Sequence, residues 1–72
     1  MTTYLVQKID PPTTKGEKWL LGERFDDGTK NVLGFHTTKK ACKTVAGFIA
    51  GWRNPVEVNT KAIRIDAWRV DA

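Results

Sequence analysis

The chain has 72 residues, 40% of them hydrophobic and 28% charged, and a formal net charge of +4. That length allows one domain, residues 1–72, with a thin core, and that composition excludes disorder. A single cysteine, Cys42, and a single histidine, His36, exclude an internal disulfide and a four-ligand zinc site, so neither a metal nor another cofactor is expected.

No apolar run approaches the roughly 20 residues of a membrane span. Met1 to Ile9 also lacks the basic patch and apolar stretch of a signal peptide. The expected location is cytoplasmic, with no membrane partner. The positive charge favours an anionic partner. Packing of aromatic side chains, or a homodimer, is left to stabilise so small a chain.

In chain order, Tyr4 to Ile9 is β-prone and ends at Pro11 and Pro12, which cannot donate to a ladder. Thr13 to Glu17 is a polar loop. Trp19 to Phe25 is a second strand, Asp27-Gly28 a turn signal, and Asn31 to His36 the returning strand. A two-residue loop would pair Trp19 with His36. A three-residue loop with Gly28 left-handed would pair Trp19 with Phe35 and Leu21 with Leu33. The second register is preferred, because it gathers Trp19, Leu21, Phe25, Leu33 and Phe35 on one face.

Thr37 or Thr38 caps a helix running to about Trp52, with Ala41, Cys42, Val45, Phe48, Ile49 and Trp52 as its apolar stripe. Asn54-Pro55 stops it. Val56 to Thr60 is extended or a loop. Ala62 to Val70 is a final strand carrying Ile63, Ile65, Trp68 and Val70. The expected fold is α+β, a three- to four-stranded antiparallel sheet with one helix packed on one face, in the order β-β-β-α-β.

Catalysis finds little support, and the chain is not expected to be an enzyme. There is no nucleophile elbow and no glycine-rich phosphate loop. Asp26 and Asp27 read as turn formers. Cys42 and His36 could pair as nucleophile and base, but Cys42 falls on the apolar stripe and reads as a small buried hydrophobe.

The cations carry more information. Lys39, Lys40 and Lys43 sit in the first turns of the helix, where they oppose the helix dipole. With the free amides of a helix start they form a place for an anion, and a phosphate backbone would fit. The sheet face away from the helix offers Lys18, Arg24 and Lys30, with Leu20 and Val32 among them. Such a face suits a nucleic-acid groove. It also suits a protein partner, with Leu20, Val32 and Trp68 as apolar contacts, and either Trp68 or Trp52 reads as an exposed anchor for such an interface.

Gly16 and Lys18-Trp19, Arg24 in the same strand, then Leu33-Gly34, Phe35, Thr37 and Ala41, together resemble the AP2-type DNA-binding domain and, more loosely, integrase arm-binding domains. The resemblance covers Gly16 to Ala50. One residue is missing between Gly34 and Phe35, and the strand after Ala62 is foreign to it. It implies a three-stranded sheet packed on one helix, with the sheet entering the major groove. It favours DNA over RNA as partner. In size and style the chain also resembles small phage accessory proteins, which implies the alternative: a factor that binds and inhibits or redirects a host protein, defence complexes included.

Overall fold

A computed structural model describes residues 1–68 of the chain. Six elements follow in order: β1 (Thr3–Ile9), β2 (Trp19–Arg24), β3 (Lys30–His36), α1 (Lys39–Ala50), β4 (Val56–Ile63) and α2 (Ile65–Trp68). The strands form one sheet in the order β3-β2-β1-β4. The α+β class and the single helix on one face stand as expected from the sequence. The sheet is mixed, however: β1 pairs antiparallel with β2 and parallel with β4. The parallel pair follows from the connection, since α1 carries the chain from the far edge back across the sheet.

The final strand is the main departure. Val56–Ile63 forms it, and the chain then turns into α2. Trp68 therefore belongs to a helical turn, while Arg69 and Val70 lie outside the described residues. The β4 sequence VEVNTKAI is half polar because it is an edge strand, buried less than the centre.

The β2–β3 hairpin uses both candidate registers. Near the turn, Arg24 opposes Lys30 and Gly22 opposes Val32. There Gly28 adopts φ 91°, as a three-residue loop demands. Further along, Leu21 opposes Gly34, Leu20 opposes Phe35 and Trp19 opposes His36. Leu33 is the extra residue of a bulge. Because side chains alternate with period two, that residue moves Phe35 to the face of Leu20 and His36 to the face of Trp19. The expected gathering of Trp19, Leu33 and Phe35 on one face does not form.

Both faces of the sheet are covered. Val6, Trp19 and Leu21 pack against Cys42 and Ala46 of α1, with Val45, Val56 and Val58 alongside. On the opposite face Leu5, Ile9 and Leu20 pack against Trp68, with Val32, Phe35, Ile63 and Ile65. The central strand β1 is thus buried on both sides. Its one buried polar side chain, Gln7, donates from Nε2 to the carbonyls of Lys8 and Lys61, at 2.8 Å each. The β1–β4 ladder breaks its register at this point. The amide therefore supplies donors where the backbone ladder lapses.

The Thr38 side chain caps α1 by accepting from the Ala41 amide at 3.1 Å. The helix ends at Gly51, whose amide donates to the Gly47 carbonyl. Its buried residues are Cys42, Ala46 and Ala50. The helix is thus rolled away from the expected stripe. Trp19 and Leu21 fill the space from the sheet side, so the facing helix positions must be small.

Two expectations follow. A Cβ on Gly22 would meet Cζ2 of Trp68 and lie 2.8 Å from Cη2. Gly22→Ala should lower stability by about 1–3 kcal/mol in urea unfolding and alter the near-ultraviolet dichroism of the displaced indole. Gln7→Leu should cost a similar amount, about 1–3 kcal/mol, because it strands the Lys61 carbonyl.

Candidate interaction surface

The sheet face proposed from sequence as a binding surface is occupied by the chain itself. Leu20 is fully buried and Trp68 is only 5% exposed, so neither is available to a partner. Val32 is half-buried against the same cluster. The cause is the segment after β4, which folds Trp68 over Gly22, where the missing side chain leaves room for the ring.

The three sheet cations are engaged or separate. Arg24 Nη2 lies 3.4 Å from Glu57 Oε1. Glu57 also accepts from Asn59 at 3.1 Å. The Asn59 hydrogen bond, and then Arg24, hold its carboxyl below the usual carboxylate range. Lys30 Nζ sits 5.3 Å from the centroid of the Trp68 ring, a cation–π contact. Lys18 stands at the other end of β2, in a shallow cleft lined by Lys8, Ile9, Asp10, Pro12 and Ala62. These cations do not form one bare basic face.

Two sequence readings of the acidic and thiol groups hold. Asp27 accepts from the backbone amide and the hydroxyl of Thr29, at 3.0 and 2.7 Å, which lowers its pKa. Asp26 pairs with the N-terminal ammonium. Cys42 is buried, and burial pushes its thiol up to about 11. It is a neutral core side chain at neutral pH, without thiolate character. Among the described residues no three His, Cys, Asp or Glu side chains gather to hold a metal ion, and no helix is long and apolar enough to cross a membrane.

The exposed surface worth weighing lies on α1. Lys39, Lys40 and Lys43 are all exposed, and no acidic residue occupies the first turn. Past them, Phe48 is 83% exposed, Ile49 48% and Trp52 88%. Arg53 stacks on the Trp52 ring at 5.2 Å. Helical spacing places Phe48, Ile49 and Trp52 in the core stripe, with Trp52 also a candidate anchor; all three are exposed. The signal that corrects this is size: Cys42, Ala46 and Ala50 form a narrower stripe at steps of four, about a quarter-turn away. The charge is equally uneven. Residues 28–56 contain Lys30, Lys39, Lys40, Lys43 and Arg53, and none of the eight carboxylates. The rest of the chain is close to neutral.

The positions of consecutive residues around a helix place this surface in two rows. Lys40, Thr44 and Phe48 follow one another along the outer crest, and Ala41, Val45 and Ile49 run beside them. Lys40 lies about 12 Å before Phe48 along the axis, and Lys43 is displaced toward the opposite flank. The result is a helix face that is cationic at its start and aromatic at its end, with Trp52 just beyond the Gly51 cap.

The Cys42 thiol generates a pH expectation. Its folded pKa of about 11 stands above its ordinary value of 9.0, so the unfolded thiol ionises first. The contribution is complete below about pH 9 and fades as pH rises toward 11. Unfolding free energy should fall over that window by about 2–3 kcal/mol more in the native chain than in Cys42→Ala, measured by urea titration at each pH. No family model matches the chain, and no curated protein or solved structure matches it either.

Proposed function

We propose that the chain is a non-catalytic protein-interaction module that docks its partner on the outer face of α1. One observation carries this reading: Phe48 and Trp52 are 83% and 88% exposed in a chain whose other two tryptophans are buried. A thin core that leaves two large aromatics in water forgoes about 2 kcal/mol of burial for each. A partner that covers them recovers it. Aromatic anchors of this kind dominate protein interfaces. The adjoining lysines would steer an anionic partner and fix its orientation.

A second reading is favoured by the lysines themselves. Lys39, Lys40 and Lys43 at a helix start with no acidic residue in its first turn would serve phosphates, and the chain would then bind nucleic acid non-specifically. Lys18, Arg24 and Lys30 contribute less to this reading, because Arg24 is paired and Lys30 lies against Trp68.

Two measurements separate the readings. Affinity capture of proteins from cell lysate should yield a saturable partner with the native chain and lose it with Phe48→Ser/Trp52→Ser. Both positions are exposed, so that variant should stay within about 1 kcal/mol of native stability. Fluorescence anisotropy with labelled duplex and single-stranded DNA should show no binding in the micromolar range at moderate salt. Micromolar binding that weakens steeply with salt, and disappears in Lys39→Glu/Lys43→Glu, would instead establish the second reading.

A further inference from the structure

We infer that the outer face of α1 receives an acidic amphipathic helix of a partner protein. Its carboxylates would seat near Lys40, with Lys43 reaching from the flank behind the crest, and its apolar side chains, about two turns further along, on Phe48, Ile49 and Trp52. The inference rests on the protein-interaction reading above and names the chemistry of the partner.

Shape supports a helical occupant. The rows Lys40–Thr44–Phe48 and Ala41–Val45–Ile49 are ridges with a groove between them, which is the relief another helix packs into. Thr44 does not compete for a polar partner, because its hydroxyl donates to the Lys40 carbonyl at 2.8 Å.

Charge selects among occupants. From Gly28 to Val56 the chain has five cations and no carboxylate, so nothing in that stretch neutralises the α1 lysines. A second copy is a poor occupant. Parallel pairing of two α1 helices sets lysines on lysines, and antiparallel pairing sets Lys40 of one against Arg53 of the other. A nucleic acid would satisfy the lysines and stack on Phe48 and Trp52, but it would leave the aliphatic row Ala41, Val45 and Ile49 without a complementary partner. A helix bearing Glu or Asp at one end and Leu or Phe at the other meets both halves of the face.

The test uses the intact chain and a fluorescein-labelled four-turn peptide, glutamates in its first two turns and leucines in its last two. A control peptide carries lysine in place of each glutamate. The acidic peptide should bind at least about tenfold more tightly than the control. Its affinity should fall severalfold between about 50 and 300 mM salt, and about tenfold in Phe48→Ala/Trp52→Ala. Lys40→Glu/Lys43→Glu should also abolish the preference for glutamate. Acidic residues near a helix start are favourable, so this variant should unfold at no lower urea concentration than the native chain, which separates lost binding from lost folding.

Equal affinity for the two peptides would overturn the inference, while capture dependent on Phe48 and Trp52 would still uphold the protein-interaction reading. Failure of both peptides to bind would overturn it too, and loss of that capture would remove both. Displacement of the acidic peptide by a second copy of the chain, by single-stranded DNA or by phosphatidylglycerol vesicles, at lower concentrations than unlabelled peptide requires, would assign the face to that competitor and overturn the inference.

Discussion

The close contact between a small-residue helix stripe and a large-residue sheet face governs this molecule. Cys42 and Ala46 of α1 meet Val6, Trp19 and Leu21. Bulk comes from the sheet and closeness from the helix, and together they fill the interlayer space. That choice fixes the roll of the helix. Once the small stripe faces inward, Phe48 and Ile49 must face outward, and Trp52 follows in the turn beyond the cap. The exposed aromatics are therefore a consequence of how the core is packed. An amphipathic helix docked by its greasiest face would have hidden them.

A second constraint comes from the sheet. With one long helix, a four-stranded sheet would leave a whole face in water, and β1 could not be buried on both sides. Trp68 resolves this by lying over Leu5, Ile9 and Leu20, in the space that Gly22 leaves. Among the described residues its buried indole Nε1 meets no hydrogen-bond acceptor, and burial of the ring supplies the favourable term. On the face that carries Lys18, Arg24 and Lys30, the leucine and valine among them are covered rather than bare.

Much of the fold was legible in the sequence because local chemistry and tertiary structure agreed. The Asp27-Gly28 turn, the first strand, the Thr38 cap and the span of α1 all follow from propensity and turn geometry. Three features were not legible. The Leu33 bulge adds one residue, which inverts the faces beyond it, and no residue type announces it. The helix roll depends on the sizes of the sheet residues opposite, which periodicity within the helix does not contain. The last strand, Val56–Ile63, is half polar because it is an edge, so the apolar residues after it drew the assignment toward Ala62. The candidate surface was legible in its cations, Lys39, Lys40 and Lys43. Trp52 was legible as one of two candidate anchors, while Phe48 was hidden for the same reason as the roll.

The order of the strands has a kinetic consequence. β1 comes first along the chain, yet it lies inside the sheet, between β2 and β4. Its antiparallel partner follows after nine residues, but its parallel partner arrives only after β3 and the whole of α1. Non-local pairing of this kind raises contact order and slows folding. During vectorial synthesis the β1–β2–β3 meander must wait with Leu5, Val6, Leu20 and Leu21 uncovered, since α1, and later Trp68, supply the covers. Productive folding is thus a late, concerted event, and the nascent meander is the stage at which the chain is most open to wrong partners.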